Sequence, residues 1–279
     1  MLQLFTLLLL LPLANTFFLA PPALVPSVPT HLPALPHIKL PTPAIVQQIA
    51  KNSPALTPFA ESKALSKVSG LPVFSVCTRW GSPFMIYGPS NRPTALYFLS
   101  SEDANSMAQE FLQMPNLPPG QSVHVLCTNF ERALRHTTAP ENPTGAANDA
   151  TGTVETMEYR IVSSGVDRYK AKELKEPNAV AAEVPVFAIE GLTDAKGNSL
   201  LFMNYDDCIS AFKNGAKKGS SAEAPKVEVY DLMSLVKSME QDTDGAFEKV
   251  KFVASTTARD FAKTVSKVGN GNSRLKPMR

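Results

Sequence analysis

The chain has 279 residues, of which 44% are hydrophobic and 19% charged, and its formal net charge is +2. This composition is typical of a soluble globular protein. A net charge this small predicts no strong field over the whole molecule, and no basic stripe with interleaved aromatic residues indicates a nucleic-acid-binding surface. We therefore expect no nucleic acid among the partners.

The first 60 residues differ from the rest because they contain no Asp or Glu and hold 11 of the 24 prolines. Each proline removes a backbone donor and fixes φ, so we expect the folded part to begin near residue 44 or later. Residues 2–13 are almost wholly apolar, but as a helix they cover only about 18 Å of a ~30 Å hydrocarbon core. We therefore predict a signal peptide over residues 1–16, cleaved between Thr16 and Phe17, with Ala14 and Thr16 as its small residues.

Residues 17–43 are rich in Pro and Ala and free of acidic side chains, which is typical of transit peptides. A signal peptide followed at once by Phe17 and an acid-poor segment resembles the bipartite presequence of algae with complex, red-lineage plastids. This resemblance implies entry through the endoplasmic reticulum and a final place in a plastid. The alternative is ordinary secretion with a Pro-rich linker. The odd number of cysteines, three, and the lack of a usable Asn-x-Ser/Thr site favour the plastid.

The segment 44–70 is predicted to be helical, with a helix near 45–65 that Pro54 and Pro58 must break. From residue 71 onward the sequence repeats itself, and such self-similarity indicates a duplicated structural unit. Four segments return in the same order: 71–76 as 184–189, 97–104 as 201–208, 123–125 as 227–229, and 161–164 as 252–255. We therefore predict two tandem units of about a hundred residues each, at 71–170 and 184–268.

Within each unit, short β-branched and aromatic runs that begin with proline predict strands, because the first residue of a strand needs no ladder donor. Ser100 and Asn204 follow the second strand of their units and are predicted N-caps, with Asp103 and Asp207 three residues later. A third strand, a second helix and a last strand complete each unit. The predicted fold class is α/β (α+β), with two tandem β-β-α-β-α-β units related by pseudo-two-fold symmetry.

Two stretches outside these elements, 137–153 and 214–225, are rich in turn-forming residues and predict surface loops. Residues 269–279 form a predicted basic tail, and the last part of the chain carries six cations against the single acid Asp260: Arg259, Lys263, Lys267, Arg274, Lys276 and Arg279. Such a tail is either a solvated, frayed end or a peripheral contact with an anionic membrane or an acidic protein.

The sequence offers few groups for catalysis. His124 and His136 have no cysteine or carboxylate neighbours at ligand spacing, so we expect no metal site. No phosphate loop, nucleophile elbow or Cys-x-x-Cys is present, so we expect no cofactor and no enzyme. The acidic pairs at 102–103 and 206–207 stand at predicted helix starts, where the helix dipole accounts for them.

Aromatic and sulfur side chains in the first hairpin of unit one are candidates for a binding surface. Trp80, Phe84, Met85 and Tyr87 lie between the first two strands of that unit. They belong either to the core or to an apolar groove. Such a groove gains ~25 cal/mol for each Å² that it buries on a partner and binds without strict selectivity.

The paired Val/Leu-Pro-Val-Phe strands, the acidic helix starts after them and the Val-x-Val third strands resemble the Tic twenty-two (Tic22) family of the chloroplast import machinery. The resemblance covers residues 71–268; the longer first hairpin of unit one and the basic tail depart from the pattern. It implies a soluble α/β protein in the intermembrane space of the plastid envelope, here of a complex plastid reached through the endoplasmic reticulum. It also implies a non-enzymatic, chaperone-like role in protein import, with precursor proteins and outer- and inner-envelope translocon subunits as partners.

By position, the resemblance transfers only apolar strand residues. The precursor-binding groove that it implies is formed by six of them: Phe74, Tyr97, Phe98, Phe187, Leu201 and Phe202. Two alternatives stay open, a plastid enzyme with Cys77 or Cys127 as nucleophile and a secreted binding module.

Overall fold

The chain folds into strands and short helices from residue 40 onward. The computed structural model describes residues 40–52, 62–87, 92–115, 117, 121–138, 143–147, 154–174, 181–215, 225–268 and 275–277. The predicted signal peptide, its cleavage-site residues Ala14, Thr16 and Phe17, and the predicted transit segment up to residue 39 lie outside the described residues. Those targeting predictions are therefore untested.

Helices and strands follow each other along the whole described chain. The helices are α1 (Pro43–Asn52), α2 (Lys63–Val68), α3 (Ser101–Gln113), α4 (Phe130–Thr138), α5 (Gly165–Glu173), α6 (Tyr205–Gly215), α7 (Leu232–Glu240) and α8 (Thr256–Val268). The strands are β1 (Pro72–Cys77), β2 (Met85–Tyr87), β3 (Pro93–Phe98), β4 (His124–Asn129), β5 (Pro143–Ala147), β6 (Val154–Thr156), β7 (Glu158–Val162), β8 (Pro185–Ile189), β9 (Ser199–Phe202), β10 (Val227–Asp231), β11 (Val250–Val253) and β12 (Leu275–Pro277). The predicted mixed α+β class is confirmed.

The first sheet belongs to unit one and has β1 and β3 at its centre. β1 pairs antiparallel with β4 and with β3, and β3 pairs in parallel with β7. The short β2 pairs antiparallel with the start of β3. Since Thr94 and Ala95 pair with both β2 and β7, β2 lies on the same edge of β3 as β1. The C-terminal strand β12 pairs antiparallel with β4, which adds a strand from the end of the chain to this sheet.

The second sheet repeats this arrangement. β8 lies between β10 and β9, antiparallel to both, and β9 pairs in parallel with β11. Equivalent hydrogen bonds join the end of the third strand to the start of the first strand in both units. The Phe130 N–H donates to the Leu71 carbonyl and the Leu232 N–H to the Val184 carbonyl, each over 2.9 Å. The shared strand order and directions support the predicted repeat. They do not fix the rotation that relates the units, so the two-fold symmetry stays a prediction.

Three details differ from the predicted units. The third strands of the two units align two residues away from the predicted position. Cys127, rather than Val125, is the equivalent of Val229, since Cys127 and Val229 each lie opposite the Phe of the first strand. Each unit also ends in a further helix, α5 in unit one and α8 in unit two. The predicted loop at 137–153 contains β5 and the start of β6, which pair with each other.

The helix after the second strand begins at the predicted N-cap in both units. The Ser100 hydroxyl accepts a hydrogen bond from the Asp103 N–H over 3.1 Å. The Asn204 side-chain carbonyl accepts one from the Asp207 N–H over 3.0 Å. Each cap satisfies one of the backbone donors that the first turn of a helix leaves without an intrahelical partner.

Two further carboxylates connect the starts of different helices. Asp167 in α5 accepts a hydrogen bond from the Tyr205 N–H at the start of α6, over 2.9 Å. Asp207 in α6 accepts one from the Thr256 N–H at the start of α8, over 2.7 Å. An anionic side chain is favourable at a helix N-terminus, so these contacts hold three helices of the two units together.

The buried apolar residues form three clusters. The largest, here called the shared cluster, takes residues from both sheets and from α1, α2, α4 and α7. The second lies between the first sheet, α3 and α8, and the third between the second sheet, α5 and α6. Both central strands are therefore covered on two faces, and every residue of β8 is buried.

The predicted helical segment before unit one contains α1 and α2, which pack against unit two. The Ser238 hydroxyl of α7 donates to the Val46 carbonyl of α1 over 3.0 Å. The Lys67 ammonium of α2 donates to the Glu248 carbonyl over 2.7 Å. These helices thus help to cover the shared cluster. In the described part of the chain no helix combines the length and the apolar character that crossing a bilayer needs.

Candidate functional site

The six residues predicted to form a groove lie in the interior of the folded chain. Phe74, Phe187 and Leu201 have no exposed surface, and the other three are at most 5% exposed. They are divided among the clusters: Tyr97 and Leu201 belong to the shared cluster, Phe74 and Phe98 to the second, and Phe187 and Phe202 to the third. In this structure they do not form a common surface groove, and precursor binding by these six residues stays an untested prediction.

The burial of these residues follows from the register of the strands. Phe74 stands directly opposite Phe98 in the first sheet, and Phe187 stands directly opposite Phe202 in the second. Side chains opposite each other in neighbouring strands share one face of the sheet and pack together. The Phe of the repeated Pro-Val-Phe motif therefore makes the same core contact in both units.

One predicted residue, Phe98, also lines a small apolar pocket at the surface of unit one. The pocket lies between the first hairpin, the sheet and α3, and its walls are Val76, Phe84, Ile86, Leu96, Phe98, Met107 and Phe111. Its cavity volume is about 10 Å³, close to the space of one water molecule and far below the ~300–1,000 Å³ of typical small-molecule sites. A space of this size is a shallow apolar depression, too small for a cofactor or a whole side chain.

Contacts between the hairpin and α3 form part of the wall of the pocket. The Phe84 ring stacks on the Phe111 ring, with centroids 4.7 Å apart and an interplanar angle of 26°. The hairpin itself turns at Gly81, whose φ of 86° is in the region that favours glycine. The Phe84 N–H donates to the Val76 carbonyl over 2.9 Å, which places Phe84 beside the central strand.

Three exposed side chains on the same hairpin form what we call the hairpin surface: Trp80, Met85 and Tyr87. Trp80 is 72% exposed and Tyr87 is 67% exposed. In β2 the side chains alternate, so Ile86 faces the pocket while Met85 and Tyr87 face away from it. The Arg79 guanidinium lies 4.1 Å from the centre of the Trp80 ring. Large apolar side chains this exposed are typical of binding surfaces.

The cysteines show little of the chemistry that a nucleophile needs. Cys77 is buried, and burial raises the pKa of its thiol to about 11. Burial also raises the pKa of Cys208 to about 12. The thiolate is the reactive form, so neither thiol is activated at neutral pH. Cys127 is half-buried on β4.

The two histidines among the described residues lie on different elements, a strand and a helix. His124 is on β4, with its Nε2 2.8 Å from the Ser122 hydroxyl. The His136 Nδ1 lies 2.5 Å from the Tyr97 hydroxyl, and burial together with the nearby Arg132 lowers the pKa of His136. Among the described residues no three His, Cys, Asp or Glu side chains come together as ligands of a metal ion.

The fold that these two sheets and their helices define is a known one. A solved Tic22 structure from Plasmodium falciparum is similar to this chain with a TM-score of 0.57 and 17% sequence identity, over 74% of this chain and 98% of that one. An Anabaena Tic22, a protein of protein transport, is similar with a TM-score of 0.54 and 16% identity, over 74% and 97%. No protein-family model matches the sequence, and no curated protein matches it. The chain therefore has the Tic22 fold, and the expected resemblance is confirmed at the level of the fold.

Proposed function

We propose that this chain is a non-enzymatic factor of protein import into plastids, which binds unfolded segments of precursor proteins as they cross the envelope. The observation that carries the proposal is the exposed hairpin surface of unit one, which consists of Trp80, Met85 and Tyr87. The Tic22 fold supports the same class of function, since the Anabaena Tic22 is a protein of protein transport. The predicted signal peptide and the transit-peptide-like segment after it support a location in the plastid.

The exposed hairpin surface fits a client that has no fixed structure. An unfolded precursor exposes apolar side chains, and burying one Leu or Phe side chain contributes ~1.5–3 kcal/mol. The exposed hairpin surface of Trp80, Met85 and Tyr87 therefore holds a client weakly and accepts many sequences. Such binding keeps a segment from aggregating and releases it readily to the next component.

The proposed compartment is the intermembrane space of the envelope, reached through the endoplasmic reticulum, and the proposed partners are outer- and inner-envelope translocon subunits. Fusion of residues 1–43 to a fluorescent protein tests the route. Fluorescence in the plastid is expected; secretion of the fusion protein supports instead the alternative of a secreted binding module. Immunogold labelling of the full-length protein identifies the membrane-bounded space.

Import into plastids depleted of the protein tests the function. We expect precursor uptake in a single round to fall and to recover when the full chain is supplied. The variant Trp80→Ala/Tyr87→Ala is expected to restore less uptake, although it leaves the folded core unchanged. The matched control is Val166→Ala/Tyr169→Ala, since both residues are large, apolar and at least 60% exposed, but lie on α5. Normal uptake by depleted plastids contradicts the proposal.

A further inference from the structure

The strand β10 forms one edge of the second sheet. Among the described residues its one strand partner is β8. In unit one the equivalent strand, β4, has an antiparallel neighbour on its outer side, because Lys276 of β12 lies opposite Val125. Val227 is the equivalent of Val125, since each lies opposite the residue two after the Phe of the first strand. The fold therefore accepts an extended peptide at this kind of edge.

The hydrogen bonds of β10 alternate along the strand. The Leu232 N–H donates to the Val184 carbonyl, so β10 exchanges hydrogen bonds with β8 at its even-numbered residues. Phe187, which lies opposite Val229, pairs with β9 on its other side, as the same alternation requires. The backbone N–H and C=O groups of Val227 and Val229 therefore point toward the outer edge.

The side chains of the two outward residues lie on one face of the sheet, here called the valine face. Val227 and Val229 are half-buried and pack against the third cluster, whereas Val125, the equivalent of Val227 in unit one, has no exposed surface. Tyr230 faces the other way and is buried in the shared cluster, and its hydroxyl donates to the Pro41 carbonyl over 3.2 Å. The chain thus covers the opposite face of β10, while both valines stay partly exposed at the edge.

We propose that the outer edge of β10 binds an extended segment of an unfolded polypeptide, which adds antiparallel to the second sheet as β12 does to the first. The proposal rests on the proposed function for the nature of the client. The backbone of the segment exchanges hydrogen bonds with Val227 and Val229, and the side chains opposite these residues lie on the valine face. Apolar side chains there complete the burial of both valines. The site therefore favours segments in which apolar and polar residues alternate.

This edge recognises a different property of a client from the hairpin surface. Strand addition takes its affinity mainly from backbone hydrogen bonds, so it accepts segments of unrelated sequence. The hairpin surface offers exposed apolar side chains instead. A folded protein has nearly all its buried backbone groups paired already. The edge of β10 therefore selects unfolded segments over folded proteins.

A second copy of the chain is the competing occupant of the edge. β10 has five residues, of which Glu228 and Asp231 are acidic. Two copies of β10 side by side would bring these carboxylates together, and short, charged edge strands are a device by which proteins avoid pairing with copies of themselves. These features favour a client segment over a second copy.

A synthetic heptapeptide with valine at its second, fourth and sixth positions and serine at the others tests the proposal. Titration of the full chain with this peptide, followed by NMR, should slow the exchange of the Val229 amide with solvent. The Tyr230 amide, which faces β8, should exchange slowly with and without the peptide and is the internal control.

Two methylated forms of the peptide locate the contact. Methylation of its valine nitrogens removes the donors that face β10 and should weaken binding about tenfold or more. Methylation of its serine nitrogens, which face away from β10, should leave binding unchanged. The two forms carry similar methyl groups in the same sequence, so a difference between them reports the backbone hydrogen bonds.

Substitution of Val229 tests the same contact from the side of the chain. Val229→Pro removes an outward donor without touching the ladder to β8, and an edge strand tolerates proline at such a position. It should weaken peptide binding about tenfold. Val229→Ile, which keeps the amide and an apolar side chain, is the matched control and should bind like the unaltered chain. Urea denaturation checks the folding of both variants; if Val229→Pro does not fold, the methylated peptides decide.

The outcomes separate this proposal from the proposed function. If both methylated peptides bind alike and exchange at Val229 does not change, strand addition at β10 is overturned, while reduced import into depleted plastids still supports the proposed function. If the peptide adds to β10 but depleted plastids import normally, the proposed function is overturned and precursors as the client with it. A chain that sediments as a dimer, with the Val229 amide protected before any peptide is added, has a second copy at this edge and overturns the proposal.

Discussion

Replacing Asp167 tests how strongly the two units are held together. This carboxylate is 3% exposed and lies in α5 of unit one, yet its partners belong to unit two. It accepts the Tyr205 N–H over 2.9 Å and the Asn204 side-chain N–H over 3.2 Å. Asp167→Ala leaves two partly buried donors without this acceptor, each at a cost of up to ~1–3 kcal/mol.

The net loss of stability is smaller than the sum of these two costs. Burial raises the pKa of Asp167, and the nearby Asp206 and Asp103 raise it further, so the ionised carboxylate is itself partly disfavoured by folding. Removing it relieves that penalty. We expect Asp167→Ala to lower the free energy of unfolding by ~2–3 kcal/mol at neutral pH, measured by urea denaturation.

The raised pKa of Asp167 also predicts a pH dependence. The additional stability that comes from the protonated form of Asp167 is complete below the ordinary pKa of 3.8 and is lost as the pH rises through the higher pKa of the folded chain. Lowering the pH from neutral toward this range should therefore stabilise the unaltered chain relative to Asp167→Asn, which cannot ionise but keeps an acceptor for the Tyr205 N–H. Asp260→Asn, at an exposed carboxylate of α8, is the control for the loss of one negative charge.

Two results would refute this reasoning. A stability of Asp167→Ala within about 0.5 kcal/mol of the unaltered chain, the range typical of surface substitutions, means that the contacts of Asp167 do not hold the units. A difference between the unaltered chain and Asp167→Asn that does not change with pH means that the carboxylate is not disfavoured by folding.

Three further outcomes are expected. Phe187→Ala should destabilise the chain by ~3–5 kcal/mol, since it removes a fully buried ring; urea denaturation measures this, and a loss below 1 kcal/mol speaks against a closely packed second sheet. Cys77 and Cys208 should resist alkylation by iodoacetamide in the native chain at pH 8 and react after unfolding, because burial raises both pKa values; rapid native reaction, seen by mass spectrometry, would show an activated thiol. Asp207→Ala should cost ~0.5–2 kcal/mol through loss of the acceptor for the Thr256 N–H; amide exchange at Thr256 should become faster, and unchanged exchange would contradict the contact.

The parts of the fold that local chemistry determines were predictable. Ser100 and Asn204 cap the predicted helices, and the repeated Pro-Val-Phe runs form the predicted central strands. The recurrence of the same elements in the same order along the chain follows from the same repeats. These features depend on residues close in sequence, so the sequence alone contains the information that places them.

The final helices and the added strand were not predicted, for different reasons. The helix α8 has a recognisable apolar face, Ala258, Phe261 and Val265, but its charged residues led to an interpretation as part of a basic end. The pairing of Leu275–Pro277 with β4 is a contact between distant parts of the chain. Three residues are too few to show a periodicity from which this pairing could be predicted.

The candidate site was also only partly predictable from the sequence. Phe74 and Phe187 were expected at a surface, but helices cover both faces of each sheet, and a strand buried on two faces has no polar side from which exposure can be judged. The hairpin residues Trp80, Met85 and Tyr87 were noted in the sequence. Only the structure separates these exposed side chains from Phe84, which turns inward to stack on Phe111.

The shared cluster has a consequence for the history of this fold. Val73 and Tyr97 of unit one and Val186 and Leu201 of unit two belong to one continuous apolar interior. A half-length chain ending after α5 would leave that interior open to water along one whole side. If the two units arose by duplication, an ancestor with a single copy of the motif would have needed a second molecule to complete this interior.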